Sequence, residues 1–428
     1  MSKMLGKYVP SKPVEPMLAA VAWAVRSPFR AFLIVFVPAF AIRLYFLTLI
    51  PIDTILPHTR WEIFAIAHSL ATTGQFADPY TLPTGPTAHL APIYPFFLSL
   101  IYRVFGMTLT AGYITWLLAI AGDAAVFGLM PWFAGKLGVE RPAGLVGGLA
   151  GAVVPQWPSL VEPTAAIVMG FLLIAYLRRW TSGQPSTLGT LVFGVVWGIA
   201  LHLQVTLLPV LLGCMAFELW WIPSRRKWLS AAVLILGLVL ASVPWGIRNY
   251  AVFGEAVFIR SNFGLELRMG NHDGAAADID VTAARTVERH PRTNEAEALE
   301  LRALGEVEYM RRARGDAIEW IRENPGTFLR LTLSRFVHYW CGPLTRPVAA
   351  GLFTLLTVVA LLGAWQILPR LAAPNRAVLL IPLATYPLVY YIVSYMPRYR
   401  VPLDWMLLIL AGGWVWQRID RTAAEGRA

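Results

Sequence analysis

Two carboxylates and two arginines are the side chains of this sequence best suited to chemistry. They are Glu62, Glu162, and the pair Arg398 and Arg400, which flanks Tyr399. A carboxylate can take the proton of an incoming hydroxyl group, and a guanidinium matches phosphate oxygens through two parallel hydrogen bonds. Transfer of a group from a phosphate to a hydroxyl requires such a base and such cations. We therefore predict Glu62 and Glu162 as catalytic carboxylates, with the Arg398–Arg400 stretch as the phosphate contact.

The same residues also have plain structural interpretations. Thr59-x-x-Glu62 has the spacing of a capping box, in which Glu62 would only close the start of a helix. Glu162 precedes a proline, where an acid suits the positive end of a helix. The two arginines could contact lipid headgroups instead of a substrate. The sequence leaves both interpretations open.

Three more polar residues need an explanation. His89 is either a loop histidine with satisfied hydrogen bonds or part of a site, and Arg43 could reach the headgroups or face a lipid phosphate. Asp123 falls in an apolar stretch, where a charge costs about 2.5–3.5 kcal/mol, so we predict a polar partner on another helix. The two cysteines, Cys214 and Cys341, offer neither a disulfide framework nor metal-ligand spacing. Gly-rich phosphate loops are also absent from the sequence.

Apolar residues dominate the whole chain and predict an integral membrane protein. Of the 428 residues, 57% are hydrophobic and only 14% are charged, against about a quarter charged in soluble proteins. Apolar stretches of about 17–25 residues predict membrane-spanning helices. About ten are predicted, near 29–50, 111–133, 143–160, 163–177, 188–203, 206–222, 229–247, 348–368, 377–395 and 403–416. The first of them is expected to be a retained helix and not a cleaved signal peptide.

The basic residues predict the orientation. The net charge is +11, and the basic residues lie in short loops between apolar stretches, which favours contact with membrane lipids and not with nucleic acid. With both termini in the cytoplasm, every lysine falls on the cytoplasmic side; these are Lys3, Lys7, Lys12, Lys136 and Lys227. We therefore expect a multi-pass protein of the cell (inner) membrane whose long connecting segments face the exterior.

Two exterior segments are too long to be simple connections. They span residues 51–110 and 248–347. Within the second, Asn294-x-x-Glu297 predicts a capped helix that continues to about residue 323. Asn324, followed by Pro325, predicts the start of another helix with enough apolar surface to lie in the membrane interface.

The order of motifs in these segments resembles that of the GT-C glycosyltransferases, which take sugars from polyprenyl-phosphate carriers. The nearest branch is similar to the bacterial protein mannosyltransferases and aminoarabinose transferases. The motifs are Arg60–Leu70 followed by Gly74, Gly85–Pro95 with Arg103–Gly106, Ser261–Glu266 with Gly270-Asn271, Gly305-Glu306-x-x-Tyr309, Asn324–Trp340, and Arg398-Tyr399-Arg400-x-Pro402. The chain departs from the family at one position, since Thr59 stands where the family has an aspartate. Glu62 is then the substitute by proximity.

The resemblance implies an all-α GT-C-like fold with an exterior cavity. The expected organisation is a cytoplasmic segment 1–28, a membrane module 29–247 that contains the loop 51–110, the long exterior loop 248–347 with amphipathic helices, and the C-terminal membrane helices and cytoplasmic tail 348–428. It also implies transfer of a hexose or pentose, with inversion at the anomeric carbon, from a polyprenyl-phosphate donor to an exterior acceptor that is a protein, a lipid or a glycan.

The expected catalytic residues are Glu62 and Glu162. The expected substrate contacts are Arg398, Tyr399, Arg400, His89, Arg43 and Asn271. Beyond the polyprenyl-phosphate-linked sugar, no cofactor is implied, and a divalent metal stays open. Two alternatives remain. A secondary transporter would show matching broken helices in two halves, and a non-catalytic lipid or glycan assembly factor would share the scaffold.

Overall fold

The computed structural model describes residues 14–154, 159–183, 186–285 and 289–425. These residues form helices and no strand, as expected of an all-α protein. Residues 1–13 of the predicted N-terminal segment, which include its three lysines, lie outside the described residues. The helices are α1 (Val14–Arg26), α2 (Pro28–Leu47), α3 (Ile52–Ile55), α4 (Glu62–Thr72), α5 (Ile93–Phe105), α6 (Leu109–Leu137), α7 (Arg141–Val153), α8 (Val161–Thr181), α9 (Thr187–Leu203), α10 (Leu208–Trp221), α11 (Arg226–Phe253), α12 (Phe263–Gly270), α13 (Ile279–Arg285), α14 (Glu295–Leu304), α15 (Glu306–Glu323), α16 (Pro325–Cys341), α17 (Pro347–Ile367), α18 (Ala373–Thr385), α19 (Leu388–Ile392) and α20 (Val401–Glu425).

Among the described residues, five helical segments are long and apolar enough to cross a membrane. They are α2, α6, α8, α11 and the segment Pro347–Arg370 that contains α17. Each coincides with a predicted span. The other predicted spans fall wholly or partly on helices that do not meet both conditions. Helices α7, α9 and α10 are shorter, the span 377–395 is divided between α18 and α19, and α20 has 25 residues but is less apolar. Helix α7 has 13 residues, about 20 Å at 1.5 Å per residue, against a hydrocarbon thickness of about 30 Å. The count of ten spans therefore stays a prediction.

Small residues let α7 pack deep between its neighbours. A methyl group added to Gly144 would lie 2.4 Å from the carbonyl oxygen of Met130 on α6, and one added to Gly147 would lie 2.2 Å from that of Leu408 on α20. Close backbone approach through glycine is a common way to join helices in a membrane. The short α7 thus connects the N-terminal helices to α20.

Buried ion pairs cross the helix bundle. The guanidinium of Arg43 on α2 pairs with the carboxylate of Asp123 on α6. The polar partner that we predicted for Asp123 is thereby confirmed. On the other side of the bundle, Arg179 and Glu218 join α8 to α10, with Nε and Oε2 2.7 Å apart. A buried charge is tolerated only when it is paired.

The two exterior segments pack against each other. Tyr80 of the first segment shares a buried apolar cluster with residues of α12, α14 and α15; the other members are Leu265, Met269, Leu301, Tyr309 and Met310. The long predicted helix that begins near Asn294 is interrupted at Gly305, whose φ of +77° ends α14 before α15 begins. Asn294 itself caps α14 as predicted, since its side chain accepts from the backbone N–H groups of Ala296 and Glu297.

Candidate active site

Glu62 is the first residue of α4, so it does not stand at the third helical position that a capping box with Thr59 requires. The residue before the helix is Trp61, and it makes no side-chain capping bond. The helix begins two residues later than the predicted capping box requires, so the prediction of a capping box between Thr59 and Glu62 is wrong. Its Oε1 lies 3.6 Å from Nε of Arg292 and 3.8 Å from Nε2 of His290. Burial raises the pKa of Glu62, while the charges of Arg292 and Arg398 oppose this shift.

Two histidines face this carboxylate. His89 is buried in the first exterior segment, and the hydroxyl of Tyr80 lies 3.1 Å from its Nδ1. His290 belongs to the long loop, and its ring centroid lies 6.2 Å from that of His89. Burial lowers the pKa of His89 well below its usual value, with smaller effects from His290 and Arg260. Burial, aided by Arg292 and Arg268, lowers the pKa of His290 to about 3. Both rings are therefore neutral at pH 7.

Glu62, His89 and His290 could hold a divalent metal. Their ligand atoms lie within 4.8 Å of one another. Two neutral imidazoles and a carboxylate are a donor set that Zn²⁺ uses, with a fourth position left open. The backbone N–H of Arg292 donates to Nδ1 of His290 at 3.1 Å, which places the ring proton on Nε2. The residues fit a metal by type and spacing. Binding through Nε2 of His290 would move the ring proton to Nδ1 and break the hydrogen bond from Arg292.

Arg398 and Glu162 border the same space. Arg398 belongs to a 3₁₀ turn, Pro397–Arg400, that precedes α20, and Glu162 is in the first turn of α8. Nε of Arg398 and Oε1 of Glu162 are 3.7 Å apart. The guanidinium lies over the ring of Tyr399, which stacks on Tyr390 with centroids 4.3 Å apart. Arg398 keeps 57% of its side chain exposed, so it can still contact a ligand.

We call this set of residues the exterior cluster. It contains five predicted site residues, namely Glu62, Glu162, His89, Arg398 and Tyr399. Two further residues, His290 and Arg292, complete it. The cluster combines a carboxylate of raised pKa, neutral imidazoles and guanidinium groups. Such a set can accept a proton from a hydroxyl and stabilise a departing anion.

Three predicted contacts are occupied by other partners. Arg43 pairs with Asp123 and donates to the carbonyl oxygens of Ala39 and Ala152 inside the bundle. Arg400 is buried, with its Nε 2.7 Å from Oδ1 of Asp404. Both arginines therefore stabilise the helix bundle, and we no longer assign them to a phosphate.

Asn271 is the third of these residues. Its amide nitrogen donates to the carbonyl oxygens of Leu267 and Ile392, at 2.8 and 2.9 Å. The amide oxygen accepts from Nη1 of Arg335 at 3.3 Å. This side chain links α12 to the end of α19, and we no longer assign it to the substrate.

Several residues of the site have no role predicted from the sequence. His290 and Arg292 lie in a stretch without a recognisable motif, and only folding of the long loop brings them to Glu62. Glu306 stands in a motif that resembles the family, but the motif indicates no function for it. A search for histidines and acids in the exterior segments would have included His290, although nothing in the sequence pairs it with Glu62.

Comparisons with known proteins support the fold. No protein-family model and no curated protein matches the sequence. The structure is similar to archaeal oligosaccharyltransferase AglB from Archaeoglobus fulgidus in complex with an inhibitory peptide and a dolichol-phosphate, with a TM-score of 0.53 and 15% identity over 91% of this chain and 50% of that one. It is also similar to the Archaeoglobus fulgidus oligosaccharyltransferase in complex with Zn and sulfate, with a TM-score of 0.51 and 16% identity over 92% of this chain and 50% of that one.

The chain therefore spans about half the length of the solved structures that it resembles. At this identity the likeness concerns the fold alone. Within these limits, the chain has an all-helical membrane fold of the kind found in the archaeal oligosaccharyltransferase.

Proposed function

We propose that this protein is a GT-C-type glycosyltransferase that moves a sugar from a polyprenyl-phosphate donor to a hydroxyl acceptor on the exterior face of the membrane. The observation that carries the proposal is the exterior cluster. Glu62, His89, His290 and Arg398 lie far apart in the sequence, and the fold brings them close to one another. The fold supports it, because the similar oligosaccharyltransferase was solved with a dolichol-phosphate.

In this proposal Glu62 is the base. The acceptor oxygen forms a bond to the anomeric carbon, and its proton passes to the Glu62 carboxylate. The bond between the anomeric carbon and the phosphate oxygen breaks, and its electron pair stays on the phosphate. Attack opposite the leaving group inverts the configuration. The raised pKa of Glu62 suits this role, because a base works best when its pKa approaches the working pH.

Arg398 stabilises the departing phosphate. Its guanidinium is largely exposed and can form two parallel hydrogen bonds with phosphate oxygens. Glu162 orients the guanidinium, and the ring of Tyr399 supports it. The inward-facing Arg400 has no such freedom, since Asp404 and the carbonyl oxygen of Trp340 occupy its donors.

A divalent metal fits this proposal as a second source of positive charge. Glu62, His89 and His290 would hold it, and a bound cation would stabilise negative charge on an oxygen next to the site. The similar oligosaccharyltransferase solved with Zn and sulfate supports this possibility by fold alone. If Glu62 is a ligand, its effect on the rate arises through the metal and not through direct proton transfer.

The experiment is a transfer assay with purified protein in lipid nanodiscs. Polyprenyl phosphates carrying a labelled hexose or pentose are supplied with membranes as the acceptor source, and the release of unlabelled polyprenyl phosphate is measured. We expect release with at least one donor and its loss in Glu62→Gln. The glycolipid and glycan profile of cells that lack the protein identifies the product. Parental profiles and no release with any donor would contradict the proposal.

A non-catalytic assembly factor is the second candidate, and one observation favours it. Thr59, at the position where the family resemblance implies an aspartate, is exposed to solvent. If the chain only binds the lipid, Glu62→Gln will still bind polyprenyl phosphate, and neither parent nor variant will release a sugar. The same assay therefore separates the two candidates.

A further inference from the structure

Glu306, the first residue of α15, is a buried carboxylate outside the exterior cluster. It is only 5% exposed. Its Oε1 accepts from the backbone N–H of Ala88 at 2.6 Å and from the hydroxyl of Ser261 at 2.7 Å, and its Oε2 accepts from the hydroxyl of Thr87. One carboxylate thus joins the start of α15 to Ser261, which precedes α12, and to the first exterior segment.

The segment that Glu306 holds ends in His89. The hydroxyl of Thr87 donates to Glu306 and also accepts from the backbone N–H of His89 at 2.9 Å. This hydroxyl therefore connects the carboxylate directly to the histidine backbone. On the other side, Nε of Arg260 donates to the carbonyl oxygen of His89 at 3.0 Å. Tyr80 contacts Nδ1 of the ring, so Nε2 is the nitrogen that His89 offers to the cluster.

Neighbouring carbonyl groups are fixed in the same way. Nη1 of Arg248 donates to the carbonyl oxygen of Thr87 at 2.7 Å, and the backbone N–H of Ser261 donates to that of Ala88 at 2.9 Å. Thr87, Ala88 and His89 are all buried. The whole stretch is therefore held by hydrogen bonds to the long exterior loop and to α11.

Packing alone does not require an acid at position 306. Burial raises the pKa of Glu306, and the three hydrogen bonds together with the charge of Arg248 oppose this shift. A buried carboxylate is tolerated only where hydrogen bonds or an opposite charge compensate for the loss of water. The carboxylate fixes the orientation of the groups around it, because its oxygens accept directional hydrogen bonds from two hydroxyls and one backbone amide.

We propose that Glu306 is a positioning residue, which fixes the Thr87–His89 stretch so that the His89 imidazole faces Glu62 and His290. This inference rests on the proposed function for its effect on the reaction. Its structural part concerns only the place of His89. The two parts are therefore tested by separate measurements.

The kinetic test compares Glu306→Ala with Glu306→Gln. Displacing a reacting group by about 1 Å can cost roughly 10²-fold in rate, so we expect Glu306→Ala to lower kcat by that order. The KM for the donor should stay unchanged, because Arg398 is not touched. Glutamine should restore most of the rate, since its carbonyl oxygen accepts from Ala88 and Ser261 and its amide donates to Thr87. Glu308→Ala removes an exposed acid from the same turn and is the matched control.

A milder pair covers the outcome in which Glu306→Ala does not fold. Thr87→Val keeps the side-chain shape and removes the hydroxyl, whereas Thr87→Ser keeps the hydroxyl. We expect valine to lower kcat and serine to keep it. Equal kcat in the two variants would overturn the proposal.

The structural test does not depend on activity. Diethyl pyrocarbonate modifies accessible histidines, and peptide mass spectrometry measures its rate at His89. We expect slow modification in the parent, in Glu306→Gln and in Glu308→Ala, and modification several-fold faster in Glu306→Ala or Thr87→Val. The modification rate of His89 tests the structural part of the inference even if no transfer is found with any donor and the proposed function fails. Unchanged protection of His89 in Glu306→Ala, or glutamine as damaging as alanine, would overturn it.

Discussion

Nε of Arg398, in the turn before α20, lies 3.7 Å from Oε1 of Glu162, in the first turn of α8. The carboxylate is buried and also accepts from the hydroxyl of Ser159. Arg398 is held on one side only and remains mostly exposed. The pair therefore holds the Arg398 guanidinium beside Glu62. The positive charge of Arg398 lowers the pKa of Glu62 and so opposes the effect of burial.

Glu62→Gln should fold and insert normally, because glutamine has nearly the same shape and its carbonyl oxygen can still accept a backbone hydrogen bond at the start of α4. We expect it to lower the transfer rate by roughly 10²-fold or more, since glutamine can neither accept the proton nor carry a charge. In the parent, the rate should fall as the pH is lowered through the raised pKa of Glu62, and this limb should be missing from the residual activity of the variant. Initial rates at equal membrane abundance test this. Near-parental activity would shift the role of base to Glu162.

Arg398→Ala should weaken donor binding, whereas Arg400→Ala should lower the stability of the fold. Loss of Arg398 removes a charged hydrogen-bond donor from the donor phosphate and should raise the KM for the donor roughly 10- to 100-fold, with the melting temperature unchanged. Loss of Arg400 leaves Asp404 buried without its partner, at a cost of about 3–5 kcal/mol. Kinetics at limiting donor and thermal unfolding in detergent separate the two. A parental KM in Arg398→Ala would place the phosphate elsewhere.

His290 predicts a loss of stability in acid. Its pKa is lowered from 6.5 to about 3 by burial, so below pH 6.5 the unfolded chain binds a proton that the folded protein does not. Stability is therefore lost as the pH falls from 6.5 towards 3, and this group should contribute about 2 kcal/mol of that loss by pH 5. Melting temperatures at pH 7 and pH 5 test the effect. His290→Gln should show a smaller decrease than the parent or the control His272→Gln, and an equal decrease would contradict it.

Zinc should bind to the exterior cluster in a ratio of one ion per chain. Chelation followed by titration with Zn²⁺, monitored by calorimetry and elemental analysis, measures the ratio. His89→Ala and His290→Ala should each abolish binding, because two remaining ligands seldom hold Zn²⁺ in a protein. His272→Ala, which lies outside the cluster, should bind as the parent does. Failure of the parent to bind zinc, with transfer intact after chelation, would leave Glu62 as a metal-free base.

The orientation can be tested through the lysines. A membrane-impermeant amine reagent on intact cells should leave all five lysines unlabelled, because every one is predicted to lie on the cytoplasmic side. Arg312→Lys, in the long exterior loop, adds an exposed amine and is the positive control. Labelling of Lys136 or Lys227 in sealed cells would place the exterior segments in the cytoplasm.

Local signals were enough to predict the helical scaffold. Apolar stretches predicted α2, α6, α8, α11 and α17, because burial in lipid requires long apolar helices whatever their partners. A single charge in such a stretch also predicted that Asp123 has a partner. The break at Gly305 was missed, since helical periodicity continues on both sides of it. Only its positive φ separates α14 from α15.

The arrangement of the candidate site could not be predicted from local sequence patterns, because it depends on how distant parts of the chain pack together. The sequence treats Arg398 and Arg400 alike, but residues two positions apart in a 3₁₀ turn point in directions that differ by about 120°. One arginine therefore faces the cluster and the other the bundle. Likewise, Thr59 and Glu62 match a capping box by spacing alone, whereas the helix begins at Glu62. His290 reaches Glu62 only through the tertiary path of the long loop.

The distribution of the cluster along the chain affects when the site can exist during synthesis. Arg398 is made about 336 residues after Glu62, which at 5–20 residues per second is about 20–70 s later. Until then the ribosome-bound chain already holds Glu62, His89 and His290 but has not formed the contact between Arg398 and Glu162. A protein truncated before Arg398 would therefore contain most of the membrane scaffold and still lack the guanidinium of the exterior cluster, so only a chain that extends past this turn can present the whole proposed site.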